Sequence, residues 1–103
     1  MKTSELTGAA LDWAVTKIEA ERKRFTIYPE YMTDYSTNWA HGGPIIEREA
    51  INLRALGSAL WEAETWSAGG DQYLLDGTTP LIAAMRCYVA SKLGDEVQLP
   101  EDL

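Results

Sequence analysis

Thr78-Thr79-Pro80-Leu81-Ile82-Ala83-Ala84-Met85-Arg86-Cys87-Tyr88-Val89-Ala90-Ser91-Lys92-Leu93-Gly94 carries a start signal, a stop signal and an apolar stripe between them. Pro80 suits the first helical position, where its missing N–H has no partner to lose. Thr79 before it can accept a hydrogen bond from the orphan N–H groups of the first turn. Gly94 suits the left-handed residue that closes a helix, and Lys92 puts positive charge at the negative end of the dipole. Leu81, Ala84, Met85, Tyr88, Val89 and the aliphatic stem of Lys92 recur at helical spacing, which predicts one buried face. The helix is secure, and it carries no chemistry of its own.

Around it, a chain of 103 residues supports one domain with one core, residues 1–103, with an acidic tail from about residue 95. Apolar residues make up 46% and charged residues 24%, which argues for a globular chain rather than a disordered one. Sixteen acids against nine bases give a net charge of −7, so direct DNA or RNA binding, which needs clustered Lys and Arg, is not expected. The acidity suits solubility or a basic protein partner. Cys87 is the single cysteine, which excludes an intrachain disulfide and fits a reducing compartment. With no apolar run long enough to span a membrane and no hydrophobic leader, the expectation is a soluble protein of the cytoplasm.

Residues 4–20 predict the other main helix: Leu6, Ala10, Trp13, Ala14, Lys17 and Ile18 recur at helical spacing, with Leu11 and Val15 widening the stripe. Gly8 makes its first turn irregular, and Trp13 reads as a core anchor. Phe25-Thr26-Ile27-Tyr28 predicts a short strand stopped by Pro29. Residues 30–41 read as a loop. Gly42-Gly43-Pro44 reads as a tight turn that delivers a short helix over residues 44–49. Ile51-Asn52-Leu53-Arg54-Ala55-Leu56 and Leu60-Trp61-Glu62-Ala63-Glu64-Thr65-Trp66 alternate around Gly57-Ser58, which predicts an antiparallel hairpin, though Ala, Glu and Leu would also suit a helix. In the hairpin Trp61 packs inside and Trp66 stays near solvent. Residues 71–77 add a further strand, and Asp95-Glu96-Val97-Gln98-Leu99 alternates once more. The fold class is α+β: two main helices packed on a small, mostly antiparallel sheet.

For chemistry the candidates are few. One His and one Cys, distant in sequence, do not make a metal site, and neither a nucleophile elbow nor a paired-carboxylate arrangement is present. Glu47 and Glu49, two apart, do not share a helix face, and Glu62 and Glu64 read as an acidic, solvated sheet edge. The unusual passage is Asn38-Trp39-Ala40-His41-Gly42-Gly43-Pro44-Ile45-Ile46-Glu47-Arg48-Glu49, where an aromatic ring, free backbone donors and a cation lie close together. A Gly-Gly turn opening a helix can hold an anion; a plain structural turn explains it as well. Candidate ligand- or partner-binding residues are Trp39, His41, Gly42, Gly43, Glu47, Arg48, Thr79 and Arg86, with no catalytic residue, metal or cofactor implied. For Arg86, off the apolar stripe, a surface ion pair is the simplest fate.

Ser4-Glu5-Leu6-Thr7-Gly8-Ala9-Ala10-Leu11-Asp12-Trp13-Ala14-Val15, the central passage from Thr37 to Glu49 with Trp61-Glu62-Ala63 after it, and the helix from Thr79 to Gly94 together resemble the NinX-like proteins of bacteriophages and prophages, a family of unknown function. The resemblance implies a temperate phage, the host cytoplasm and an accessory gene. Two functions follow as expectations: a non-enzymatic module that binds a host protein in regulation or counter-defence, or a binder of a small nucleotide-like ligand through Trp39, Gly42-Gly43 and Arg48. For self-association, Trp66 and the tyrosines at 28, 31 and 35 are the candidates, with the oligomeric state open.

Overall fold

The computed structural model describes residues 1–24, 32–101 and 103. The strand expected at 25–28 lies outside them, as do Tyr28 and Tyr31. The last helix holds the architecture together. It runs Pro80–Leu93, with the Thr79 Oγ1 accepting the Ile82 N–H at 3.1 Å and the Gly94 N–H returning to the Ala90 carbonyl at 2.9 Å. Its burial is not confined to one stripe. Leu81, Ala84, Met85, Tyr88 and Val89 are buried, and so are Ala83, Cys87 and Ala90 on another side. A helix apolar all round belongs in the middle of a core.

That position follows from what lies on either side. Among the described residues, a three-stranded antiparallel sheet, β1 (Asn52–Gly57), β2 (Leu60–Trp66) and β3 (Gln72–Gly77), is ordered β1-β2-β3 and packs on the helix. Leu53, Ala63 and Leu75 stand in register across the strands and face inward. The Cys87 thiol reaches the Tyr73 carbonyl at 3.4 Å, so the small side chains of the helix allow a close approach to the sheet. The predicted hairpin is present, and the further strand read at residues 71–77 pairs antiparallel with β2. Trp61 packs against the core, Thr65 is buried, and Trp66 is exposed, as the alternation requires. Glu62 and Glu64 need a correction: β2 is the central strand, so they sit mid-sheet, on the outer face rather than at an edge.

The first helix, α1 (Gly8–Lys23), packs on the helix 80–93 from the side away from the sheet. Its buried stripe is Leu11, Ala14, Val15 and Ile18. Gly8 adopts φ 54°, which a side chain would strain, and this separates α1 from a single 3-10 turn at Thr3–Glu5. The helix expected from residue 4 therefore begins later. Trp13 is half-buried, with the Lys17 ammonium 5.5 Å from its ring centroid, so it borders the core rather than anchoring it.

A second helix, α2 (Trp39–Arg48), also packs on the helix 80–93, which is α3 in chain order. It begins five residues earlier than the Gly-Gly-Pro reading placed it. Asn38 starts it, its side-chain oxygen accepting the Ala40 N–H at 2.9 Å, so Gly42, Gly43 and Pro44 lie inside the helix. The segment from residue 95 is tied down, not loose. Val97 is buried, exchanges backbone hydrogen bonds with Met1, and sits beside a Lys2–Glu96 bridge.

Candidate functional site

The candidate residues divide between the two ends of α2. At the C-terminal end, Arg48 grips the Glu19 carboxylate of α1 with two parallel hydrogen bonds, Nη1 to Oε1 at 3.1 Å and Nη2 to Oε2 at 2.9 Å. The same Nη2 donates to the Tyr88 hydroxyl of α3 at 2.8 Å, and that hydroxyl donates to Glu19 Oε2 at 2.6 Å. Arg48 Nε donates to Glu49 at 2.9 Å, and Lys92 pairs with Glu49 at 3.1 Å. One guanidinium thus ties α1, α2 and α3 together, the planar bidentate geometry being the strong form of such a bond.

The electrostatics follow from that geometry. The Glu19 side chain is only 3% exposed, and burial alone pushes its carboxyl up. Hydrogen bonds from Arg48 and Tyr88 and the charges of Arg48 and Arg22 outweigh burial and hold it below the usual range. Glu49 is lowered in the same way, against burial, by Arg48 and Lys92. Burial first, and then the Glu19 carboxylate, pushes the Tyr88 phenol well up. Arg48 therefore has its donors committed within the protein and does not stand beside Trp39 as an anion receptor.

At the N-terminal end of α2, Trp39 is 52% exposed. It borders a shallow groove of about 230 Å³ with Ser36, Thr37, Thr79, Leu81 and Ile82. Trp39 and Thr79 thus line one groove. His41 is exposed, its Nε2 lying 3.8 Å from Asp34 and its ring edge-on to Tyr35. Tyr35 itself is half-buried against the core rather than displayed. The Gly42 N–H is taken by the Asn38 carbonyl at 2.9 Å, and a Cβ on Gly42 would fall 2.5 Å from Leu81 Cδ1 and 2.6 Å from the Tyr35 carbonyl oxygen. Gly42 is there for close packing of α2 on α3, not as an anion cradle. Gly43 has no such constraint, its nearest neighbour being Trp39 Cε3 at 3.8 Å. Glu47 is exposed on the solvent side of α2.

Arg86 makes no ion pair among the described residues. Its Nε donates to the Leu6 carbonyl at 2.7 Å and its Nη1 to the Asp76 carbonyl at 2.8 Å, pinning the N-terminal segment and the end of β3 to α3. The Cys87 thiol is buried and pushed up to about 12 by desolvation, so its thiolate is scarce at neutral pH. Among the described residues, no group of three or more His, Cys, Asp or Glu is arranged to hold a metal ion, and no helix is long and apolar enough to cross a membrane.

The outer face of the sheet is an uncovered surface of mixed apolar and acidic character. Leu60, Trp66 and Leu74 are 42%, 51% and 49% exposed there, with Leu56 exposed at the hairpin bulge. Acids lie among them: Glu64 is in register with Leu74, and Glu62 with Asp76. Arg54 pairs with Glu62, and Gln72 donates to Glu64 at 2.5 Å.

Sequence reasoning missed Glu19 and Ser36. Glu19 had a signal: it falls four residues after Val15, on the apolar stripe, where an acid needs a partner. Ser36 had none, since its burial comes from tertiary packing. No curated protein matches the sequence. A family model described as Bacteriophage P22, NinX matches residues 2–92, nearly the whole described architecture from the 3-10 turn through α3. The chain belongs to the bacteriophage P22 NinX family.

Proposed function

We propose that the protein is a non-enzymatic phage accessory protein that acts in the host cytoplasm by binding a basic host protein through the outer face of its sheet. The observation that carries this reading is the chemistry of that face: Leu60, Trp66 and Leu74 exposed among Glu62, Glu64 and Asp76, with Arg54 the only base in the strands beside them. Exposed aromatic and aliphatic groups supply the desolvation energy of an interface, and the acids select a basic partner and speed its approach. Family membership supports the phage context, and regulation or counter-defence suits an accessory protein.

The alternative, a small nucleotide-like ligand held by Trp39, Gly42-Gly43 and Arg48, receives less support. Arg48 is committed to Glu19 at the opposite end of α2 from Trp39, and a net charge of −7 repels phosphates.

The test is photo-crosslinking inside infected host cells, with a benzophenone amino acid at position 60 or 74. The expected result is the same host protein captured from both positions, absent when the probe sits at position 9 on α1, and lost when Glu62→Lys and Glu64→Lys are combined with it. Equal capture from position 9, or capture indifferent to the charge reversal, contradicts the reading.

A further inference from the structure

We propose that the element docking on the outer sheet face is an amphipathic α-helix of the partner, laid along β2, whose central Lys or Arg enters the basin between β1 and β2 and takes Glu62 from Arg54. The inference rests on the reading of that face as the partner surface and names what meets it.

The carrying observation is the order of side chains along β2. Trp61, Ala63 and Thr65 point inward, so alternation puts Leu60, Glu62, Glu64 and Trp66 on the outer face. The exposed apolar groups stand towards its two ends, Leu60 with Leu56 and Trp66 with Leu74, and Glu62 and Glu64 lie between Leu60 and Trp66. Six residues of strand separate Leu60 from Trp66 by roughly 20 Å. Four turns of α-helix span about the same length, with residues at both ends and in the middle on one face. An extended segment suits this face poorly. The face presents side chains rather than backbone N–H and C=O groups, so an extended backbone would be left unpaired on docking, whereas a helix satisfies its own.

The middle of the face selects the charge. A basin of about 320 Å³ lies there, lined by Asn52, Leu53, Arg54, Glu62 and Glu64. In the described strands three acids, Glu62, Glu64 and Asp76, stand against one base, Arg54. Arg54 pairs with Glu62 while its own side chain stays 65% exposed, and so open a pair contributes little. Arg54 is thus a resident cation that an incoming one displaces, and it repels the newcomer while it remains. A second copy of this chain is a poor occupant, because it would set the same acids against each other.

The test is calorimetric titration of the full chain with helical peptides of about four turns, each held by a hydrocarbon staple on the face turned away from the protein. The first peptide carries a central Lys, with a Leu two turns before it and another two turns after it. The expected result is saturable binding below about 1 mM. Glu in place of the Lys abolishes it, as does breaking the helix with prolines, and moving both Leu to the opposite face weakens it about tenfold. Trp66→Ala weakens binding of the Lys peptide by about tenfold, while Arg54→Ala tightens it by roughly twofold. Both variants keep the fold, since each trims an exposed side chain. Absence of binding, equal binding of the helical and proline-broken peptides, equal binding of the Lys and Glu peptides, or weaker binding to Arg54→Ala each overturns the proposal. Failure of the surface itself reads differently: crosslinks from positions 60 and 74 that persist while the helical peptide fails to bind sink the helix alone, and loss of those crosslinks sinks the surface.

Discussion

The two ends of α2 treat polar groups in opposite ways. At Arg48 the guanidinium is bonded to Glu19, Glu49 and Tyr88, and a nearly inaccessible carboxylate is held ionised by it. At Trp39 a large ring faces solvent beside a buried hydroxyl that bonds to nothing described. A satisfied polar network is a reason for a helix to stay where it is. A buried hydroxyl that bonds to nothing described adds nothing to that hold. The cation that the sequence offered as a ligand contact is bonded within the protein.

The largest expected effect breaks the satisfied end. Arg48→Ala takes the bidentate partner from Glu19, whose side chain is 3% exposed, leaving it the Tyr88 hydroxyl and Arg22, and should lower the unfolding free energy by about 3 kcal/mol in urea titration. Tyr88→Phe, which keeps the ring but removes both hydroxyl contacts, should cost less, about 1.5 kcal/mol.

Between the two ends, the adjacent glycines sharpen the contrast. Gly42→Ala drives a methyl group into Leu81 and the Tyr35 carbonyl oxygen, and should cost about 2 kcal/mol by overpacking. Gly43→Ala meets only an ordinary contact with Trp39 inside a helix, and should gain about 0.5 kcal/mol. Thermal melts of the two single variants, moving in opposite directions, check this pair.

The pH dependence isolates the satisfied end. Glu19 and Glu49 have folded values below the usual carboxylate range, so they bind protons less readily when folded than when unfolded. Their stabilisation is therefore complete above the unfolded value, about 4.3, and is lost as pH falls through their lower folded values. The urea midpoint should drop with acidification below about pH 4, and the drop should be shallower in Arg48→Ala.

Much of this fold was legible because it is written in local chemistry. Thr79-Pro80 and Gly94 bound α3 where they should, and the alternation around Gly57-Ser58 gave the hairpin and the outward Trp66. What escaped depends on residues distant in sequence. Ala83, Cys87 and Ala90 are too small to mark a second buried face of α3, so its place between the sheet and α1 came only with packing. Gly42-Gly43-Pro44 reads as a turn in isolation, but the Asn38 cap and packing on Leu81 carry a helix through it. Arg48 and Glu19 lie 29 positions apart, and nothing local joins them. Within the candidate site, the nearness of Trp39 and Thr79 and the bonding of Arg48 and Arg86 inside the protein both come from packing and were not readable.

The claim that a satisfied polar network holds one end of α2 while the Ser36 hydroxyl near the other end contributes no bond reduces to one measurement: urea unfolding of Ser36→Ala beside Arg48→Ala. Ser36→Ala should unfold at or above the midpoint of the unaltered protein, because it deletes a buried hydroxyl that bonds to nothing described. Arg48→Ala should unfold well below it. A Ser36→Ala midpoint lowered as far as that of Arg48→Ala would mean that the hydroxyl is structural after all, and would contradict the account.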